Sequence, residues 1–379
     1  MRRLQDAGSH VLPVNRDQPS DRRLKFGKDD GFYLELRRRV DDYFQRTGLR
    51  ERDSPWMYLK SAIVLGGLAT SYGLLVFAAQ TWWQALPLAV LLGLAMACAG
   101  FNIQHDGGHN AYSRRPWVNK LAALSLDLIG GSSYVWHWQH AVFHHTYANI
   151  TGHDADIELG PLGRLSPHQK HYAFHRWQHF YIWPFYGLMA VGWQLIGDYR
   201  ELITGRVKGQ LRFPRPKGWD LVTFAAGKML FLTLAFGIPL RYHSWPAVLL
   251  FYGVASSVLG IVLSVVFQLA HCVEEAEFPL PREDTGRVEN AWAIHQVETT
   301  VDFARRSRVA CWMLGGLNFQ VEHHLFPRVC HIHYPALSTL VEATCREYGV
   351  TYLEHKTMLA GLVSHFRWLR TMGMADPAA

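Results

Sequence analysis

Between Lys60 and Asp106 the chain runs for 45 residues without one Asp, Glu, Lys or Arg, and between Arg241 and Glu274 for 32 more. No other feature constrains the fold as tightly. A bilayer's hydrocarbon core is about 30 Å thick and takes roughly 20 helical residues to cross. The first run holds two such helices, expected at about 60–79 and 85–104. Their linker, QTWWQALP, carries two tryptophans that suit a membrane interface. The second run holds one span, at about 246–268. Residues 220–240 form a weaker span, because Lys228 lies inside it, and the short link RYHSWP makes the pair a second hairpin. Segments 117–136 and 181–197 are apolar but interrupted by Lys120, Asp127 and Pro184, and are expected as interfacial or partly buried helices.

Whole-chain averages conceal this pattern. An apolar fraction of 49% and a mean hydropathy of −0.04 would suit a soluble enzyme. They exclude disorder and a collagen-like fibre. Five cysteines (Cys98, Cys272, Cys311, Cys330, Cys345) without a CxxC pair argue against a disulfide framework or a thiolate zinc site, and fit a reducing compartment. Residues 1–55 contain no apolar segment, so no signal peptide is expected. Of the 38 Lys and Arg residues, all but Lys228 and Arg241 fall outside the two hairpins or at their edge. The positive-inside tendency therefore puts three polar segments in the cytoplasm: 1–59, 105–218 and 271–379, around hairpins at 60–104 and 219–270. The expected fold is an all-α integral membrane protein, with four transmembrane helices in two hairpins and a helical cytoplasmic cap. The net charge of +7 and pI of about 9.1 alone do not make a nucleic-acid binder, because the cations are spread over the membrane flanks without a recognised motif.

Histidine is the unusual residue, at 21 copies. Three clusters fall at the predicted cytoplasmic ends of the spans. QHDGGHNAYS holds His105 and His109, spaced i, i+4 so that both rings share one helix face. Gly107 and Gly108 between them cost a helix about 1 kcal/mol each, and a close backbone approach is one reason to keep them. WHWQHAVFHHTYANI holds His140, His144 and the adjacent His145, about 100° further round the helix, which points to a second metal. NFQVEHHLFP holds His323 and His324, with Gln320 one turn before, and FQLAHCVEE puts His271 at the end of the last span. One HxxxH is more often structural than a ligand pair. Buried imidazoles in this number at a membrane boundary are costly unless paired or ligated. Imidazole suits iron, copper, zinc and nickel, and eight rings exceed the four ligands of one tetrahedral zinc.

The succession HDxxH, HxxxHH and QxxHH on four spans resembles the membrane-bound fatty acid desaturases, closest to the acyl-CoA and acyl-lipid branch with its front-end members. GGLNFQVEHHLFP, CHIHYPAL, WAIHQVETTVDFA and RVDDYFQRTGL are similar to that branch, and the resemblance covers about residues 25 to 370. It implies two non-haem irons, O2 as co-substrate and two electrons from a carrier. By motif the ligands are His105, His109, His140, His144, His145, His323 and His324, with His271 matching the family's additional histidine. Gln320 stands where stearoyl-type members have histidine, and its part in metal binding is left open. No HPGG motif is present, so no fused haem domain is expected. Electrons then come from a separate ferredoxin or cytochrome b-type protein. The implied function is introduction of a cis double bond into a fatty acyl chain carried by CoA, lipid or acyl carrier protein. A hydroxylase or acetylenase on the same scaffold is the alternative.

Other groups take plainer readings. His137 is placed beside the metal rather than on it. His171, His175 and His179 repeat the i, i+4 spacing, but the resemblance offers them no ligand role. His295, His331 and His333 stand in family-like stretches with substrate or supporting roles open. His10, His153, His168, His243, His355 and His365 read as surface or structural. Asp154 and Asp156 either orient imidazoles or lie in a solvated loop, the loop being favoured, and Glu322 stands similarly. Arg305, Arg306 and Arg308 face either a phosphate or acidic carrier, or simply water. A metal transporter is disfavoured, since its ligands belong near the bilayer midplane.

Overall fold

A computed structural model describes residues 24–209 and 211–374, so His10 lies outside the described residues. The chain is mostly helical, with two small two-stranded pairings. Four helices are long and apolar enough to cross a membrane: Pro55–Ala78, Trp82–Gly108, Trp219–Arg241 and Trp245–His271. Each contains the expected segment or overlaps it almost entirely. Prolines sit at or near the start of the first and fourth, where a missing N–H costs nothing.

Lys228 does not break the third long helix because it is partnered. Its Nζ donates to Asp198 Oδ2 and to the Gly130 carbonyl, both at 2.6 Å. That pairing also explains a departure from expectation. Residues 117–136 form not one helix but three short ones, Pro116–Ala123, Ser125–Leu128 and Ser133–Trp136. Asp127 turns back to accept from the Ser133 amide, and Gly130 takes a φ of 97°, a left-handed turn few side chains tolerate. The other interrupted segment, by contrast, is one helix. Gln178–Gly192 runs through Pro184 and lies along the fourth long helix. Gly260 makes that approach possible, since a Cβ there would lie 2.6 Å from the Tyr186 carbonyl oxygen.

All five cysteines are free. The polar segments fold against the ends of the long helices that carry the histidines. Phe32, Leu36, Val40 and Phe44 of the helix Phe32–Thr47 pack with Val297, Val321, Leu337 and Val341 in one apolar cluster. Burying such side chains is worth about 1.5–3 kcal/mol each, and here it clamps the segment bearing His323 and His324.

Candidate metal centre

Four pieces of chain bring the histidines together, one of them the end of the fourth long helix, which supplies His271. The second long helix loosens into a π-helical turn at Gly100–Gln104 and ends in the short turn His105–Gly108. The two glycines there are required by contact. A Cβ on Gly107 would lie 2.6 Å from Ala122 Cβ and the Ala123 nitrogen, and one on Gly108 would lie 2.2 Å from the Trp136 ring. The second piece, His137–His144, is π-helical throughout, a geometry frequent at functional sites. Its wider turn stacks His140 on His144, with centroids 5.0 Å apart. The third is the fully buried helix Gln320–Leu325.

The rings divide into two groups joined by a third. Ring nitrogens of His105, His109, His140 and His323 lie within 4.8 Å of one another, and so do those of His144, His271 and His324. His145 sits between, forming a group of its own with His323 and His324. All eight histidines expected from the sequence are therefore in one place. His145 meets one ring from each group, His323 and His324, while His144 reaches the far group. His137 is in none of these groups. Gln320 is buried one turn before His323, with no partner for its Oε1 among the described residues.

Five of the eight rings are held from behind. His140 Nδ1 lies 3.1 Å from Asp156 Oδ2 and His144 Nδ1 2.9 Å from Asp154 Oδ2. His271 Nδ1 faces the Thr299 carbonyl at 3.2 Å, His324 Nδ1 faces Gln296 Oε1 at 2.7 Å, and His323 Nδ1 faces the Tyr334 hydroxyl at 3.3 Å. This corrects the solvated-loop expectation for Asp154 and Asp156: Asp154 is wholly buried, and both carboxylates are spent on imidazoles. Glu322 is likewise buried, accepting from the Tyr352 hydroxyl. Gln296, Thr299 and Tyr334 were not singled out from the sequence. The only signal was that Gln296 and Thr299 fall in WAIHQVETTVDFA and Tyr334 in CHIHYPAL.

Burial, then neighbouring imidazoles, push the pKa of His109, His145, His323 and His324 well below the usual value, so these rings are neutral. Burial also lowers His140 against the pull of Asp156. At His144 burial opposes the charge, but Asp154 and Asp156 prevail and raise the pKa. Trp136 stacks on His140 at 4.8 Å, and Phe267 covers His144 and His271 at 5.0 and 4.7 Å.

Several of the remaining histidines are tied to backbone carbonyls or to neighbouring side chains. His175 bonds the Pro161 carbonyl and His171 the Gly373 carbonyl, both 2.9 Å. His365 lies between the Tyr186 hydroxyl and the Cys272 carbonyl. His331 forms a buried chain with Asp106 (3.0 Å) and Lys60 (2.9 Å), and His333 bonds the Arg50 carbonyl.

The family model for fatty acid desaturase matches residues 80–356. The sn-1 linoleoyl-lipid 6-desaturase of Arthrospira platensis is 39% identical over 93% of this chain and 95% of its own. The protein of the same description from Synechocystis sp. is 39% identical over 93% and 99%. The acyl-lipid (8-3)-desaturase of Physcomitrium patens is 35% identical over 92% of this chain and 73% of its own.

Proposed function

This chain belongs to the fatty acid desaturase family and is a desaturase, and from that premise we propose that its eight clustered histidines hold two non-haem irons acting on a fatty acyl chain of a membrane lipid. The observation that carries the reading is the state of the ring nitrogens. Carboxylates, carbonyls and amide oxygens only accept, so Nδ1 of His140, His144, His271 and His324 is the donor. In a neutral ring Nε2 then keeps its lone pair. Nε2 of His109, His144, His271, His323 and His324, and both nitrogens of His145, are buried without a partner among the described residues. Native proteins rarely leave such atoms unpaired. His105 and His140 even set two Nε2 atoms 3.2 Å apart. An array of buried imidazoles aimed inward, with charge disfavoured at His109, His140, His145, His323 and His324, fits metal, and eight donors in two groups with His145 between them fit a pair rather than a single tetrahedral ion.

Iron bound there supplies the activation of O2 and the removal of two hydrogens from neighbouring carbons, leaving a cis double bond. The protein's own part is orientation and exclusion. Asp154, Asp156, Gln296 and the Thr299 carbonyl lock ring tautomers and angles, as backing groups of metal-bound histidines do. Trp136 and Phe267 close the walls. The two electrons come from a separate carrier, a ferredoxin or cytochrome b-type protein.

The four long helices cross the membrane as two hairpins, 60–104 and 219–270. Segments 1–59, 105–218 and 271–379 lie on the cytoplasmic side, the last two forming the cap around the metals. The charge pattern supports this sidedness. The similar proteins are named as linoleoyl-lipid and acyl-lipid desaturases, which supports a lipid-borne chain over CoA or acyl carrier protein.

The test is metal analysis of the purified protein with lipid profiling of expressing cells. About two irons per chain and a new alkene located by fragmentation are expected. A single zinc or haem, or new hydroxyl mass without alkene, would overturn the reading.

A further inference from the structure

Arg305, Arg306 and Arg308 are three neighbouring arginines that the structure treats differently. Arg305 turns inward, where its guanidinium binds Glu342 at 2.8 Å and Glu354 at 2.9 Å. Arg306 stays exposed, and among the described residues no carboxylate lies within ion-pair distance of it or of Lys356. Both line one hollow of about 630 Å3, with Ser307, Val309, Met313 and Met358. Ser307 and Thr357, also on its wall, each accept a backbone N–H through the side-chain oxygen, from Ala310 and Ala360. Their hydroxyl protons are thus free to donate. The hollow therefore has two unpaired cations and two hydroxyl donors above a floor of methionine and leucine.

Its position selects the occupant. Met313, on the floor, accepts from Asn102 Nδ2 of the second long helix. Gly315 packs so closely on that helix that a Cβ would lie 2.3 Å from the Phe101 carbonyl oxygen. Trp312 lies under Lys60 of the first long helix, 5.3 Å from ring centre to Nζ, and Gly361 abuts Leu269 of the fourth. The hollow thus lies beside the histidine-bearing ends of the second and fourth long helices and near the start of the first. Around it Val309 and Leu359 are 74% and 69% exposed, and Trp312 and Val363 stand out too. A transient redox partner would meet a polar rim. Apolar side chains splayed beside two cations without carboxylate partners, at the level where helices leave the bilayer, fit a lipid.

We propose that this hollow binds the phosphate of an anionic glycerophospholipid, with Arg306 and Lys356 on the phosphate, Ser307 and Thr357 donating to its oxygens, and the acyl chains against Val309, Leu359 and Val363. The inference rests on the membrane placement proposed above and not on the metals. Arg308 lies outside the lining and serves as the control cation.

The experiment is native mass spectrometry of the full chain in detergent, titrated with phosphatidylglycerol or with phosphate-free galactosyl diacylglycerol. Wild type binds phosphatidylglycerol in preference. Removing a cation at a membrane surface weakens binding roughly fivefold, so Arg306→Gln with Lys356→Gln weakens it about 25-fold. Arg308→Gln and the galactolipid series stay unchanged, and Arg306→Lys with Lys356→Arg restores binding. Equal binding of the two lipids by wild type, or unchanged phosphatidylglycerol binding by the double variant, overturns the proposal. A double variant that keeps phosphatidylglycerol but needs more reduced ferredoxin to saturate also overturns it, in favour of a carrier dock. Binding is read without turnover, so a failure of the di-iron reading leaves this result standing.

Discussion

Gln296→Met removes one oxygen from behind the centre while nearly keeping the side chain's shape. Gln296 and His324 are both fully buried, and their 2.7 Å bond is the one hydrogen bond of His324 Nδ1 among the described residues. With methionine there, a buried N–H loses its acceptor, at a cost of about 1–3 kcal/mol. The ring is then free to rotate or to take the other tautomer. Loss of such a backing partner typically weakens metal affinity by about 10–100-fold. The assay is iron content of the purified variant against rising chelator, with wild type and Gln296→Glu alongside. The glutamate keeps an acceptor and should hold iron at wild-type chelator concentrations. Methionine should release one iron of the pair first, because His324 belongs to the group with His144 and His271. Alkene formation should fall in parallel. If Gln296→Met holds both irons at the wild-type midpoint, the orienting role assigned to this amide is wrong, and with it the argument from fixed tautomers.

Other outcomes follow from the same contacts. Gly108→Ala sets a Cβ 2.2 Å from the Trp136 ring and should cost activity and thermal stability together, by at least the 1–3 kcal/mol usual for overpacking, in a melting assay. Lys228→Met strands buried Asp198 and should cost about 3–5 kcal/mol, most of it recovered when Asp198→Leu is added. Glu201 is buried, and its pKa is raised from 4.5 to about 7, burial being the main cause. The folded state holds this proton where the unfolded chain has lost it, so stability falls as pH rises from about 4.5 to about 7. Glu201→Gln should therefore raise the melting temperature at pH 8, by a free energy on the order of 3 kcal/mol, and leave it unchanged near pH 4; an equal gain at both would exclude the titration. His179→Ala should keep iron and turnover, because that ring sits against Phe180 and Phe366, away from the metal groups.

The four long helices were legible because a bilayer forbids charge, and 45 residues without one have few other uses. The histidine pairs were legible because a helical repeat writes one face into i, i+4 spacing. Both are local rules. Lys228 weakened one span in the sequence because its partner, Asp198, is 30 residues away and visible only when folded. The same holds for the backing of the rings. Asp154 and Asp156 look like loop carboxylates until the turn after His145 folds them under His144 and His140, and Gln296, Thr299 and Tyr334 carry no spacing that marks them. Composition and periodicity determined which segments are apolar and which imidazoles share a face. Only the tertiary structure decided which ring joins which group, that His145 lies between them, and that of Arg305, Arg306 and Arg308 only Arg305 meets a carboxylate among the described residues. Those are contacts between segments far apart in the chain, and the energy that selects them depends on what is buried together rather than on what is adjacent in sequence.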